Sequence, residues 1–152
     1  DPYVEKEKVK ISGAVPVDNI SENLPKMDAV TLHCPKNDET TDLFTKQEFD
    51  LMKKSSFIIN CARGGILNEE DLYEALTNKN ISGAGLDVFD VEPTPSSNPL
   101  FKLNNVILSP HIAGVTVEST VRMATETVQN VLDVLDDKIN QSVVVNNKEI
   151  GM

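Results

Sequence analysis

The chain has 152 residues, 14 Lys and Arg against 24 Asp and Glu for a formal net charge of −10, and 39% hydrophobic residues. A fold of this size buries roughly 70% of its unfolded surface, so one compact domain needs no disulfide, metal or repeat array. The acidic balance argues against nucleic acid and anionic membrane as partners, since both want clustered Lys and Arg. No apolar run approaches the roughly 20 residues of a membrane span, and DPYVEKEKVK lacks the apolar core of a signal peptide. Cys34 and Cys61, each inside an apolar stretch, suit a reducing compartment better than a disulfide framework, so a cytoplasmic location is expected. The first residue is Asp, and the D-P-Y opening follows no element, which suggests a fragment of a longer chain.

Taken in order, Gly13-Ala14-Val15-Pro16-Val17 is a weak β-prone run whose proline implies an edge or a strand end. Asn19 to Leu24 is a short helical candidate closed by Pro25. Ala29-Val30-Thr31-Leu32-His33 is the first clear strand, nearly continuous in β-prone residues as a strand covered on both faces should be. Pro35 to Thr41 reads as a polar linker. Thr45-Lys46-Gln47-Glu48 is a capping box, with Phe44 and Phe49 at the positions of a hydrophobic staple. Ser56-Phe57-Ile58-Ile59-Asn60 is a second strand. Asn68 then precedes the acids Glu69, Glu70 and Asp71 of a first helical turn, and Leu67 with Leu72 repeats the staple spacing. Ala84-Gly85-Leu86-Asp87-Val88-Phe89 and Asn105-Val106-Ile107-Leu108-Ser109 are the third and fourth strands, separated by a proline-bearing linker from Asp90 to Pro99. From about Thr116 to Lys138, Val117, Val121, Ala124, Val128, Val131, Leu132, Leu135 and Ile139 recur at steps of three and four, one face of a helix about 35 Å long. A coiled coil has little support, because the stripe is mostly Val and Ala and stops after about three heptads.

Strands alternating with helices imply a mostly parallel α/β sheet with right-handed crossovers. Such sheets bind ligands at the carboxyl ends of their strands, so the residues just beyond each strand are the informative ones. His33-Cys34-Pro35 stands after the first, Arg63 within Asn60 to Gly65 after the second, Asp87 and Glu92 after the third, and His111 within Pro110 to Gly114 after the fourth. Each has an ordinary reading alone: Arg63 a surface residue before a Gly-Gly turn, His111 a loop histidine, Glu92 an exposed acid in a proline-rich loop. Together they carry a chemistry. Arg63 can grip a carboxylate with two prongs and polarise an adjacent carbonyl. His111 can exchange a proton near neutral pH, and an acid such as Glu92 beside it would orient the ring and favour its charged form. Those roles fit reduction of a 2-keto acid to a 2-hydroxy acid, with the hydride supplied by a cofactor. His33, Cys34 and Cys61 read as packing at strand ends, since a zinc site needs four ligands at paired spacing.

Asn60-Cys61-Ala62-Arg63-Gly64-Gly65, Gly85-Leu86-Asp87-Val88-Phe89 through Glu92-Pro93, and Ser109-Pro110-His111-Ile112-Ala113-Gly114 resemble three signature blocks of the NAD-dependent D-isomer-specific 2-hydroxyacid dehydrogenases. Leu32-His33-Cys34-Pro35 with Thr40 is similar to that family's cofactor-lining loop. Asp1-Pro2-Tyr3 resembles the end of its second Rossmann strand, where an acid binds the adenosine ribose. The resemblance covers Asp1 to about Asn146. It implies an α/β fold, a partial Rossmann-type doubly wound parallel sheet followed by a long crossover helix. Residues 1–114 would be the C-terminal part of an NAD-binding domain, and 115–152 the crossover helix and return segment, with Val143-Val144-Val145-Asn146 as the strand after that helix. Arg63 matches the substrate-binding arginine, His111 the catalytic acid/base and Glu92 its partner. The implied cofactor is NAD, lined by Asp1, His33, Cys34, Pro35, Thr40, Cys61, Ala62, Arg63, His111 and Gly114, with Asp87 near the nicotinamide amide. The implied partners are a small 2-hydroxy or 2-keto acid and, in the full-length protein, a second copy in a homodimer.

The family's G-x-G-x-x-G/A phosphate loop would lie roughly 20 residues before Asp1, and no such motif occurs in the sequence. The chain therefore resembles the C-terminal portion of the family's chain, with phosphoglycerate the first substrate to consider. A formate dehydrogenase of the same superfamily is disfavoured, because that branch has glutamine at the position of Glu92. A second reading is a corepressor-like, NAD-sensing scaffold of the same fold, and a third is a self-sufficient partner-binding module.

Overall fold

The structure, a computed structural model, describes residues 1–146, which fall into two units, Asp1–Ala113 and a second from Gly114 onward. In the first unit the strands β1 (Ala29–Leu32), β2 (Phe57–Asn60), β3 (Gly83–Leu86) and β4 (Val106–Leu108) form one parallel sheet in sequence order. Three helices accompany it: α1 (Lys6–Ile11), α2 (Lys46–Leu51) and α3 (Glu69–Thr77). The capping box of Thr45 and Glu48 starts α2, and Asn68 starts α3 by accepting the Asp71 amide at 3.1 Å. The Phe44 and Phe49 rings meet at 6.1 Å between centroids, as the staple spacing predicts.

Register decides which side chains enter the core. Val30, Ile58, Ala84 and Val106 lie abreast, as do Leu32, Asn60, Leu86 and Leu108. From these rows Leu32, Ile58, Ala84 and Leu86 are buried with Phe49 of α2 and Leu72 and Leu76 of α3. Successive right-handed crossovers that step in one direction leave their helices on one face. The strands read as covered on both faces are accordingly covered by described residues on one; on the other, Phe57 is 49% and Ile107 80% exposed.

Several sequence expectations are corrected here. Residues 13–17 form no strand: no neighbouring strand offers them a ladder, and Gly13 turns the chain at φ +84°. The candidate at 19–24 is a turn leading into a 3-10 helix, Leu24–Lys26, in which Pro25 stands in the first turn, where its missing N–H is not needed, instead of ending a helix. Pro2 and Tyr3 form a turn. β3 stops at Leu86; the Asp87 amide still donates to the Asn60 carbonyl at 3.0 Å, and Val88 and Phe89 leave the ladder. α1 is additional; it buries nothing and is laced by Lys8–Glu5 and Lys10–Glu7 pairs, so it lacks the apolar stripe that marks a helix in sequence.

In the second unit α4 (Val117–Leu135) begins at a capping box in which Ser119 answers Thr116, and no residue of α4 is buried. The strand expected at Val143 to Asn146 is instead the end of a 3-10 turn, Gln141–Val143, followed by further turn, since no described strand lies alongside it to pair with.

Candidate active site

The turn after β2 is shaped by a buried amide. Asn60 is 1% exposed; its Nδ2 donates to the Arg63 carbonyl at 2.9 Å, and its Oδ1 accepts the Ala62 amide at 3.0 Å. Gly64 is required next, because a Cβ there would come within 1.9 Å of the Phe89 carbonyl oxygen. Gly65 follows at φ +74°, the left-handed region open to glycine. The turn carrying Arg63 is thereby pressed against the backbone that leads to Glu92. The Arg63 guanidinium donates to the Ala62 carbonyl at 2.6 Å, which leaves the rest of its fork of donors open.

Beyond β3 and β4 two segments are joined by side chains. His111 Nδ1 lies 2.7 Å from Glu92 Oε2, and Glu92 Oε1 accepts the Phe89 amide at 2.9 Å. The His111 hydrogen bond above all, then the Phe89 amide, holds the Glu92 carboxyl below the usual glutamate range; the charges of His111 and Arg63 add to this against the opposing effect of burial. An ionised carboxylate only accepts, so Nδ1 carries the proton, and Nε2 of a ring whose side chain is 46% exposed is left for exchange. His111 holds φ +55°, uncommon for a residue with a side chain, and its amide donates to the Asp87 carbonyl at 2.7 Å.

Asp87 is 2% exposed. Burial pushes its carboxyl up, but the Ser109 hydroxyl, the Ala113 and Ile112 amides and the charge of His111 outweigh this and hold it below the usual aspartate range. Its oxygens accept Ser109 Oγ at 2.6 Å, the Ile112 amide at 2.9 Å and the Ala113 amide at 2.8 Å.

Apart from Asp87 and Gly114, the expected site residues line three cavities. Asp1 lines a groove of about 520 Å³ with His33, Cys34, Pro35 and Thr40. His33, Cys34 and Pro35 also line a groove of about 600 Å³ with Cys61, Ala62 and Arg63. Glu92 and His111 line a cavity of about 680 Å³ whose other walls include Phe89, Phe101 and Leu108. Of these three cavities Arg63 and His111 line different ones, and the charge of Arg63 acts on Glu92. Asp1 uses a carboxylate oxygen to accept the Tyr3 amide at 2.9 Å, and the Tyr3 hydroxyl donates to Glu39. Thr40 stitches the loop after β1, its hydroxyl donating to the Pro35 carbonyl at 2.6 Å and accepting the Asn37 amide at 2.9 Å. Gly114 stands at the start of the second unit, where a Cβ would meet nothing within 4 Å.

Two positioning side chains, Asn60 and Ser109, escape the sequence reading. The available signal is the same for both: a polar residue closes an otherwise apolar strand run. An open groove across parallel strand ends, small side chains at Cys61 and Ala62 and a guanidinium with free donors fit the nicotinamide side of a dinucleotide. Among the described residues no three His, Cys, Asp or Glu cluster as metal ligands, and no helix is long and apolar enough to cross a membrane.

Residues 1–113 match the family described as D-isomer specific 2-hydroxyacid dehydrogenase, NAD binding domain. The chain is 40% identical over 144 residues to D-3-phosphoglycerate dehydrogenase of Methanocaldococcus jannaschii, covering 95% of this chain and 27% of that protein. It is 42% identical over 127 residues to glyoxylate reductase of Thermofilum pendens, covering 84% of this chain and 37% of that one. Among solved structures, an NAD-complexed D-isomer specific 2-hydroxyacid dehydrogenase from Lactobacillus delbrueckii ssp. bulgaricus superposes with a TM-score of 0.81 at 27% identity, over 95% of this chain and 47% of that one. The holo form of D-mandelate dehydrogenase from Rhodotorula graminis gives 0.76 at 32% identity, over 86% of this chain and 37% of that one. The chain belongs to the D-isomer-specific 2-hydroxyacid dehydrogenase family, matching its NAD-binding domain, and spans 27% and 37% of the lengths of the two curated relatives.

Proposed function

We propose that this chain is the cofactor-side part of an NAD-linked oxidoreductase that interconverts a 2-hydroxy acid and a 2-keto acid. The observation that carries the reading is the 2.7 Å contact between His111 Nδ1 and Glu92 Oε2 at the strand ends, with the charge of Arg63 acting on the same Glu92. When bound, NAD(H) supplies or accepts the hydride. Arg63 grips the substrate carboxylate with its open donors. In the reduction direction the charged His111 donates the proton on Nε2 to the keto oxygen, and the neutral ring that remains keeps its Nδ1 proton on Glu92. Glu92 stays ionised throughout, which orients the ring.

Asp1 is assigned to the ribose hydroxyls, favouring NAD over NADP by repelling a 2′-phosphate. His33, Cys34, Pro35, Thr40, Cys61, Ala62 and Gly114 line the cofactor in this reading, and Asp87 lies near the nicotinamide amide while bracing the turn that bears His111. A phosphoglycerate-type substrate draws support from the Methanocaldococcus relative and glyoxylate from the Thermofilum one. A cytoplasmic homodimer completes the assignment. The test is NADH turnover with glyoxylate and 3-phosphohydroxypyruvate by a protein containing this chain, beside its His111→Gln variant. Turnover that survives His111→Gln, or no turnover with any 2-keto acid, refutes the reading.

A further inference from the structure

We infer that Ser109 is a positioning residue for His111: its hydroxyl fixes the rotation of the buried Asp87 carboxylate, which holds the turn at 109–113 so that His111 presents Nδ1 to Glu92. The inference rests on the acid/base reading of His111 for its importance, but its test does not use that reading. Ser109 is the first residue beyond β4, and its amide extends the ladder to the Leu86 carbonyl at 2.9 Å. Its hydroxyl therefore stands on the sheet, whereas the Ile112 and Ala113 amides that meet the same carboxylate belong to the turn and move with it.

Among the described residues Ser109 is the only side chain that donates to the Asp87 carboxylate, at 2.6 Å. Oδ1 is shared between this hydroxyl and the Ile112 amide, and Oδ2 takes the Ala113 amide. With Oδ1 pinned to the sheet, the carboxylate plane faces two consecutive amides; without the hydroxyl, this 2% exposed group is held by those two amides of the turn and moves with them. His111 lies inside this turn at φ +55°, a conformation that persists in a residue with a side chain only when its surroundings over-determine it. Loosening the turn lets the imidazole rotate away from the 2.7 Å contact with Glu92.

The readout is the tautomer of neutral His111, measured by long-range 1H–15N correlation spectra of the 152-residue chain at a pH where both of its histidines are uncharged. The His33 signals are assigned with His33→Gln. In the unsubstituted chain the Nδ1–H form is expected to exceed the Nε2–H form by about tenfold, as a hydrogen bond to a charged acceptor imposes. Ser109→Ala should lower that ratio by about fivefold or more, towards the Nε2–H form that a free histidine favours, and Ser109→Thr, which keeps the hydroxyl, should restore it. Should Ser109→Ala fail to fold, Ser109→Cys, near in size and only a weak donor, should show a smaller fall. An unchanged ratio in the Ala or Cys variant, no recovery with Thr, or no Nδ1–H excess in the unsubstituted chain would each overturn the proposal. Absence of NADH turnover would count against the proposed activity and leave the tautomer result standing.

Discussion

At Arg63 the shape of the charge matters as much as its sign. Lysine keeps the charge but loses the planar fork, so Arg63→Lys should raise KM for the keto acid and lower kcat/KM by about 2–4 kcal/mol in a protein containing this chain. Steady-state kinetics check this, and unchanged constants remove Arg63 from the substrate carboxylate. Glu92 makes a prediction about pH. Its carboxyl titrates below the ordinary value because His111 and the Phe89 amide favour the charged form. A group lowered in this way contributes stability that is fully present above the unfolded value, about 4.3 for glutamate, and is lost as pH falls through the lower folded value. The stability difference between the unsubstituted chain and Glu92→Gln should therefore shrink as the solution is acidified below about pH 4. Urea melts across that range measure it; a gap that widens on acidification reverses the assigned sign.

Among the elements, the turn from Asn60 to Gly65 is held from both sides, by the Asn60 amide from within and by the Phe89–Asp90 backbone from without. A methyl group at Gly64 has nowhere to go, since the obstructing atom 1.9 Å away is a main-chain oxygen. Gly64→Ala is expected to destabilise the chain by about 1–3 kcal/mol, the range for an overpacked site, and to shift the amide signals of Arg63 and Phe89 together. A substitution that leaves the urea midpoint in place would show that the turn and the 89–90 segment are not in contact. The turn at 109–113 is built on another plan: it depends on one buried carboxylate from the neighbouring strand end.

For the whole chain the limiting feature is the cofactor's pyrophosphate. In dinucleotide-binding sheets it rests on a glycine-rich turn and the N-terminus of the helix after it, and the sequence contains no such motif. The isolated 152-residue chain is therefore expected to bind NADH more weakly than micromolar and to turn over no 2-keto acid. Isothermal titration and a turnover assay decide; micromolar binding with turnover would show that contacts along β1 and β2 suffice.

The features legible in the amino acids alone were local or ordered along the chain. Thr45 with Glu48, Asn68 with its three following acids, and Phe44 with Phe49 announce helix starts because the interacting groups lie within five residues of one another. Four strands appear as β-prone runs, and the rule that ligands meet parallel sheets at strand ends brings Arg63, Glu92 and His111 to one edge. Tertiary contacts settled whatever depends on distant partners. The turn-forming run at 13–17 had no neighbour to make it a strand, and α1 formed on charge pairs without an apolar stripe. His111 meets Glu92 across 19 residues and Asp87 meets Ser109 across 22. That His111 uses Nδ1, that Asp87 braces a turn, and that Ser109 and Asn60 matter at all emerge only once the register of β2, β3 and β4 sets their polar ends side by side, because a buried polar group takes its partner from whatever the fold brings within about 3 Å.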